Sequence, residues 1–270
     1  MIERHDDPAA YAALVTPYLL RDEPRFNLEL AIVARVAEGD AYGDEPPVLL
    51  TVDGAPVVMT PPHNLLISAL PLASVPALAE WVAASGYLPP GALGTVETAT
   101  AFASRYGDLT GRTWEVSREE GVFVLRTLVP ARPTTGSLRL ATEADRDVVV
   151  EWAGAFQTEA GLPPSDLERF AKRIGDKMVW LWDDGGPVSM VGCGGFTPNG
   201  ARIGPVYTPP ALRGRGYASA ATAGVTRTLL DGGRRCTFLY TDLANPTSNK
   251  IYRALGYEHV TDVREVTFSR

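Results

Sequence analysis

The sequence predicts an α/β (α+β) fold made of two similar halves, each a mixed, mostly antiparallel sheet flanked by helices. In the second half, the hydrophobic pattern changes between strand alternation and helical spacing in the order β-α-α-β-β-β-α-β-α-β. The first half repeats much of that order. A length of 270 residues also suits two domains of ordinary size.

The second half carries the clearer pattern. A short strand at Ser137–Ala141 precedes Thr142, which can cap a helix, with Asp145 three residues later. The other predicted elements are helices at Asp166–Ile174 and Gly216–Leu230, a helix opening at Asn245 and Pro246, and strands at Met178–Trp182, Val188–Phe196, Arg202–Thr208, Cys236–Asp242 and Tyr257–Ser269. Hairpin-linked strands followed by a β-α-β crossover indicate a mixed sheet with one parallel pair.

The first half gives a fainter version of the same pattern. Its predicted elements are helices at Pro8–Leu20, Glu23–Glu38, Val75–Ala84 and through Arg105, strands at Val48–Val52, Val57–Thr60, Leu65–Ala69 and Leu93–Val96, and a hairpin of Trp114–Ser117 with Val122–Leu128. The Pro-bearing stretch Val129–Gly136 is typical of a linker. We therefore expect two domains of common ancestry, at residues 1–132 and 133–270.

Composition and charge limit the classes of function. The formal net charge of -7 argues against a nucleic-acid partner, because such proteins usually carry a basic excess. No apolar run approaches ~20 residues, so no membrane association is expected. The acidic N-terminus lacks the pattern of a signal peptide, and this favours a cytoplasmic protein. Cys193 and Cys236 are then expected to be buried free thiols.

A glycine- and arginine-rich turn marks the boundary between a strand and a helix in the second half. Gly214 and Gly216 would let the backbone close around an anion at the helix N-terminus, where unpaired N–H groups carry partial positive charge. Arg213 and Arg215 add charge and forked donors. These features describe a phosphate cradle. They equally suit a turn that merely needs glycine and carries surface arginines.

Two familiar nucleotide motifs do not match this turn. The P-loop requires a lysine that is missing here, and the dinucleotide fingerprint requires a third glycine where Ser219 stands. A different pattern does match. Arg213-x-x-Gly216-x-Ala218 resembles the Arg/Gln-x-x-Gly-x-Gly/Ala acyl-CoA signature of the GNAT superfamily of N-acyltransferases.

A second segment strengthens the resemblance. It follows the pattern Asn-x-x-Ser/Ala…Tyr-x-x-x-Gly-Phe/Tyr of that superfamily, with Asn245, Ser248, Tyr252, Gly256 and Tyr257. The resemblance covers Ser137–Arg270 and reaches residues 1–132 only through the order of elements. The chain thus resembles tandem members of the superfamily, in which one half has lost the acyl-CoA motif.

The resemblance implies a binding site for acetyl-CoA, the acyl donor. In the superfamily, the strand before the signature separates from the next parallel strand, and the pantetheine arm pairs with the freed edge. Gly204 and Pro205 suit a bulge at that point, since proline lacks a ladder donor. The residues implied to contact the donor are Val206, Tyr207, Thr208, Arg213, Gly214, Arg215, Gly216, Tyr217, Ala218, Ser219, Asn245, Ser248 and Tyr252. Asn245 is equally well explained as a helix cap.

Three residues are catalytic candidates, and the resemblance implies the role of the first. The hydroxyl of Tyr252 would protonate the departing CoA thiolate, and the alternative is a core tyrosine on an amphipathic helix. An amine acceptor must lose a proton before it attacks, so a base or a water chain helps. Asp242 and Glu159 are the candidate bases, and each is also explained as a solvated carboxylate.

We therefore expect an N-acetyltransferase that moves an acetyl group from acetyl-CoA to a primary amine of a small molecule or peptide, by direct attack in a ternary complex. It would act as a monomer or homodimer and use no metal, since the three histidines lack ligand spacing. The alternative is a non-catalytic acyl-CoA-binding sensor. In the first half, the corresponding turn, Ser68–Pro76, has no glycine and no basic residue, so no CoA is expected to bind there.

Overall fold

The computed structural model describes residues 1–40, 42–162 and 166–269. The chain forms two compact units. The first unit contains Met1–Phe123, Tyr240–Asn245 and the chain from His259 onward, and the second contains Val124–Leu239 and Pro246–Glu258. The order of elements within residues 1–125 is β-α-α-β-β-β-α-β-α-β, and the same order recurs within residues 137–269, short 3₁₀ turns aside.

The elements within residues 1–125 lie close to their predicted positions. The helices are α1 (Pro8–Leu19), α2 (Asn27–Ala37), α3 (Val75–Ser85) and α4 (Val96–Thr110). The strands are β1 (Ile2–His5), β2 (Val48–Val52), β3 (Ala55–Met59), β4 (Leu65–Leu66), β5 (Gly91–Thr95) and β6 (Thr113–Leu125). The sequence analysis missed β1, a four-residue strand with two exposed positions.

The elements predicted for the second half are confirmed in type and order. The helices are α5 (Arg146–Glu159), α6 (Leu167–Lys172), α7 (Tyr217–Asp231) and α8 (Pro246–Ala254). The strands are β7 (Ser137–Leu140), β8 (Val179–Asp183), β9 (Pro187–Gly194), β10 (Gly200–Tyr207), β11 (Cys236–Asp242) and β12 (Glu258–Ser269). The predicted cap is present as a capping box, in which Thr142 and Asp145 bond reciprocally ahead of α5.

Each unit has a mixed, mostly antiparallel set of strands. In the first unit the order is β1-β2-β3-β4-β5-β12-β6, and in the second it is β11-β10-β9-β8-β7. Three antiparallel pairings run from β1 to β4, and the β4–β5 pairing is parallel. Three antiparallel pairings likewise run from β7 to β10, and the β10–β11 pairing is parallel. The predicted mixed sheet with one parallel pair is therefore confirmed.

One predicted element is wrong. The hairpin expected between Trp114–Ser117 and Val122–Leu128 is a single strand, β6. Gly121 lies inside that strand, where a Cβ atom would come within 2.7 Å of the Phe123 ring. The glycine is therefore needed for close packing and does not mark a turn.

Helices cover both faces of the strands in the second unit. On one face, Trp152 of α5 packs with Met190 of β9 and Tyr207 of β10. On the other face, Ile203 of β10 packs with Ala221 and Val225 of α7. This packing fixes the end of β10 between α5 and the start of α7, where the predicted site residues lie.

Candidate functional site

Strand β10 is interrupted at the position predicted from Gly204 and Pro205. Its pairing with β9 shifts register between Ile203 and Val206, which confirms the predicted bulge. Gly204 has a φ of +142°, a conformation that favours glycine. Among the described residues, the parallel pairing with β11 covers only Gly200–Arg202 opposite Cys236–Phe238. The rest of β10 therefore presents a backbone edge that β11 does not occupy.

The loop from Arg213 to Gly216, here called the glycine–arginine loop, leads directly into α7. Gly216 is the N-cap residue and has a left-handed φ of +86°, with no side-chain bond to the first turn. Gly216 is exposed and has no side chain, so the backbone N–H groups at the start of the helix have no side-chain cap. Tyr217, Ala218 and Ser219 form that first turn. A helix N-terminus with uncapped N–H groups favours a nearby anion.

The two arginines of the loop have different surroundings. Arg213 donates from Nη2 to Oε2 of Glu159 at 2.5 Å and from Nε to the carbonyl oxygen of Thr208 at 2.8 Å. Its guanidinium also lies 5.8 Å from the centre of the Tyr207 ring. Arg215 is exposed, and its charge lowers the pKa of Asp184 as a minor cause. Thus Arg213 ties the loop to the end of α5, while Arg215 remains on the surface.

Glu159, one of the two candidate bases, is the last residue of α5. Its second oxygen, Oε1, accepts a hydrogen bond from the Tyr207 hydroxyl at 3.1 Å. Burial, and secondarily the bond to Glu159, raises the pKa of Tyr207. Both carboxylate oxygens of this candidate base therefore already have donors.

The end of β10 is fixed by buried hydrogen bonds. Ser189 of β9 donates from Oγ to the carbonyl oxygen of Tyr207 at 3.0 Å and bonds Oγ1 of Thr208 at 2.9 Å. Tyr207 and Thr208 are buried, and Val206 is half-buried. These contacts give the predicted donor-binding segment a defined backbone conformation.

Tyr252 is buried on α8, the position predicted from the second motif. Its ring packs edge-on against Tyr257, with ring centres 5.9 Å apart. Burial, and secondarily Tyr257, raises the pKa of Tyr252 well above its usual range. The phenol therefore keeps its proton at neutral pH, but a higher pKa also makes transfer to a thiolate near pKa 8.5 more costly.

The remaining candidates fall in different parts of the chain. Ser248 is half-buried on α8 in the second unit. Asp242 ends β11, and both it and Asn245 are grouped with the first unit. The Asp242 side chain accepts a bond from the Ala244 N–H at 2.8 Å, and its carbonyl accepts one from the Asn245 N–H at 3.0 Å. These two bonds shape the turn into α8.

Three groups beside the glycine–arginine loop were not foreseen from the sequence. Thr134 donates from Oγ1 to the carbonyl oxygen of Arg215 at 2.9 Å. Asp184, in the turn between β8 and β9, accepts from the Tyr217 hydroxyl and from Thr135, each at 2.6 Å. These bonds link segments 33 to 81 residues apart. Asp184 belongs to the stretch Asp183–Gly186, whose Asp-Asp-Gly-Gly sequence is typical of a turn between hairpin strands.

Both cysteines are free and buried, as predicted, and burial raises the pKa of the Cys193 thiol to about 11. Within the described ranges, no three metal-ligating side chains come together. No described helix has both the length and the apolar character needed to cross a bilayer.

Residues 146–257 match the family model described as the acetyltransferase (GNAT) family. The second half of the chain is therefore similar to the domain that this family model describes. No curated protein matches the chain by sequence.

Solved structures extend the likeness in fold to the whole chain. A Drosophila protein is 15% identical with a TM-score of 0.66, over 99% of this chain and 98% of its own. A GCN5-related N-acetyltransferase from Sphaerobacter thermophilus is 19% identical with a TM-score of 0.61, over 98% and 94%. A GNAT-family acetyltransferase from Colwellia psychrerythraea is 14% identical with a TM-score of 0.57, over 99% and 98%. At these identities, the comparison concerns the fold alone.

Proposed function

We propose that this protein is an acetyl-CoA-dependent N-acetyltransferase with one active site, built on the second half of the chain. The acceptor is a primary amine of a small molecule or peptide, and the transfer is direct, within a ternary complex. The amine nitrogen forms a bond to the acetyl carbonyl carbon, and the carbon–sulfur bond of the thioester breaks. One proton leaves the amine, and one is delivered to the CoA sulfur.

The separation of β10 from β11, directly before a glycine-capped helix, is the observation that carries this proposal. The free edge of β10 supplies backbone groups for an extended amide-bearing arm such as pantetheine. The N–H groups at the start of α7 supply donors for a diphosphate. Along the chain, a strand edge suited to the pantetheine arm is therefore followed by a helix start suited to the diphosphate. The pantetheine arm and the diphosphate follow one another in the same way in an acyl-CoA molecule.

Four groups of the chain have distinct tasks in the proposed reaction. A backbone N–H within Val206–Thr208 would donate to the thioester carbonyl oxygen and stabilise the charge that develops there. Tyr252 holds the proton for the CoA sulfur. Glu159 is the first candidate for the proton of the amine, since the same carboxylate bonds Tyr207 at the end of β10. Asp242 remains the second candidate.

The first half lacks these features, and we propose that it binds no CoA. The N-cap of α3 is Ser74, whose hydroxyl donates to Oδ2 of Asp53 at 2.7 Å. Pro76 follows in the first turn and removes one backbone donor. A carboxylate beside the helix start and a missing N–H both disfavour a phosphate.

Turnover is the direct test. Purified protein is incubated with acetyl-CoA and a panel of primary amines, including amino acids, polyamines, aminosugars and short peptides, and free CoA thiol is measured. We expect amine-dependent thiol release above the hydrolysis background for at least one class. Tight CoA binding without release for any amine would favour the non-catalytic sensor instead. Failure to bind CoA would contradict both.

A further inference from the structure

The segment Thr134–Gly136, here called the strap, lies against the glycine–arginine loop and has no role in the proposed chemistry. It belongs to the stretch between β6 and β7 that the sequence analysis interpreted only as a linker. Three hydrogen bonds hold it. Thr134 donates to the carbonyl oxygen of Arg215, Thr135 donates to Asp184, and Trp182 donates from Nε1 to the carbonyl oxygen of Thr135 at 2.8 Å.

Asp184 connects the strap to the first residue of α7. Its Oδ2 atom accepts hydrogen bonds from both Thr135 and Tyr217. Tyr217 is only 5% exposed, so its side chain is anchored in the second unit. The glycine–arginine loop is therefore held on both sides of Gly216, at the Arg215 carbonyl and at the Tyr217 ring.

The bond from Thr134 fixes the direction of a peptide group. The Arg215–Gly216 peptide is trans, and in a planar trans peptide the carbonyl and the N–H point in opposite directions. Because the Arg215 carbonyl is directed towards Thr134, the Gly216 N–H is directed away from the strap. Without that bond, glycine at position 216 would allow the peptide to rotate, since glycine adopts both signs of φ readily.

We infer that Thr134 is a positioning residue for acyl-CoA binding: its hydroxyl sets the orientation of the Arg215–Gly216 peptide, so that the Gly216 N–H and not the Arg215 carbonyl faces the diphosphate. This inference rests on the proposed function. A carbonyl oxygen turned towards a diphosphate would repel it, whereas an N–H donor would bind it. The strap thus preorganises the loop before the ligand arrives.

The test is calorimetric binding of CoA to the full-length protein, together with initial rates at varied acetyl-CoA. Thr134→Val removes the hydroxyl and keeps the branched shape. A neutral hydrogen bond is worth enough to change an affinity by about three- to tenfold, so we expect the Kd for CoA and the KM for acetyl-CoA to rise by that factor. The kcat at saturating acetyl-CoA is expected to stay within about twofold, because the loop still closes on bound ligand. Thr134→Ser restores the donor and is expected to recover the wild-type affinity.

Thr110→Val is the matched control. Its hydroxyl donates to the Tyr106 carbonyl at 2.7 Å on α4, so the substitution also removes a hydroxyl–carbonyl bond, and CoA binding is expected to be unchanged. Thr134→Ala provides the same test if the valine variant folds poorly. Wild-type affinity in the Thr134→Val or Thr134→Ala protein, or a serine variant as weak as the valine one, would overturn the inference. Absence of CoA binding in the wild type would instead overturn the proposed function.

Discussion

Arg213 and Glu159 form an ion pair, 2.5 Å between Nη2 and Oε2, that joins the glycine–arginine loop to the last residue of α5. The two residues are 54 positions apart in the sequence. Both side chains are nearly half exposed, so water screens their attraction. Such a pair contributes little to stability, under about 1 kcal/mol. Its consequence is positional, because it places a carboxylate between the loop and the Tyr207 hydroxyl.

The Glu159→Gln variant distinguishes a role of Glu159 in catalysis from a contribution to stability. The variant keeps the size of the side chain but cannot accept a proton, so we expect kcat to fall on the order of 10²-fold. The melting temperature is expected to change by no more than about 4 °C, since the exposed pair is worth under about 1 kcal/mol. Glu168→Gln is the control, because Glu168 pairs with Arg146 at a similarly exposed position. Full kcat in Glu159→Gln, with a large loss in Asp242→Asn, would assign the base to Asp242.

Gly216→Val tests the loop itself. A branched residue at a φ of +86° costs about 1–2 kcal/mol of backbone energy, and its Cβ would lie 3.8 Å from the Thr134 Cβ. Relief of this strain would turn the loop backbone away from the conformation that presents its N–H groups. We expect CoA affinity to fall at least on the order of 100-fold, measured by calorimetry on folded protein. Gly86→Val carries the same backbone cost, at a φ of +78° with no atom within 4 Å of the added Cβ. It is expected to lose similar stability and bind CoA normally, and unchanged binding in Gly216→Val would exclude the loop as the anion site.

Tyr252→Phe and Tyr257→Phe form a matched pair of buried phenols. Removing the Tyr252 hydroxyl is expected to lower kcat on the order of 10²- to 10⁴-fold, with the Kd for CoA within about twofold. The Tyr257 hydroxyl instead bonds Thr237 at 2.9 Å and Thr226 at 3.1 Å. Its loss is expected to cost about 1–3 kcal/mol of stability and leave kcat largely intact. Steady-state rates and denaturant unfolding of both variants check this, and a fully active Tyr252→Phe protein would transfer the acid role to another group.

Asp145 makes the second unit sensitive to acid. Arg139 donates to both of its carboxylate oxygens at 2.8 Å, and this pairing holds the pKa of Asp145 well below its usual range. A depressed pKa in the folded state contributes stability above the ordinary value near 3.9, and that contribution is lost as pH falls below it. We expect Asp145→Asn to lose about 2 kcal/mol at pH 7, as for hydrogen bonds to a charged group. Unfolding measured from pH 7 to pH 2 should show a shallower decline in the variant than in the wild type. If the stability of the variant and that of the wild type fell in parallel with pH, the assignment of this acid sensitivity to Asp145 would be wrong.

One CoA per chain is the expected stoichiometry. The starts of α3 and α7 follow equivalent strands in the repeated order of elements, yet only α7 follows a glycine-rich loop. Titration calorimetry of the wild type with CoA is expected to give a ratio of one. Because only one site is expected, Gly216→Val should abolish CoA binding at the wild-type affinity. A remaining site with the wild-type affinity would show that the first half also binds CoA.

The sequence predicted the site best where the chemistry is local. The bulge follows from Gly204 and Pro205, and the helix start follows from Gly216, because each depends on the conformations open to one or two residues. The bonds from Thr134 to Arg215 and from Arg213 to Glu159 were not predicted, because they join distant segments whose meeting depends on packing. The hairpin predicted around residues 114–128 was wrong, since a glycine needed for close contact, such as Gly121, and a glycine needed for a turn look alike in sequence.

The fold, too, was predicted best where its features are decided by residues close together in the sequence. Most helices and strands were predicted within a few residues, because periodicity reports which face is buried. Partners of strands joined by hairpins or by a single crossover were also indicated, but partners distant in sequence were not, because such pairing is decided across the whole chain. The last strand, β12, was recognised as a strand, but its antiparallel pairing with β5, with Val263–Thr267 opposite Thr95–Gly91, has no local signal.

That pairing has a consequence for how the protein is made. In the first unit, β12 lies between β5 and β6, and its Val266 side chain is fully buried in the core. A ribosome delivers residues 1–125 well before residues 258–269, so β5 and β6 lack the strand that lies between them until that later segment has been synthesised. Contacts of such long sequence separation form slowly, and the incomplete sheet exposes strand edges in the meantime. The first unit therefore cannot complete its sheet from residues 1–125 alone, and its folding depends on the later synthesis of residues 258–269.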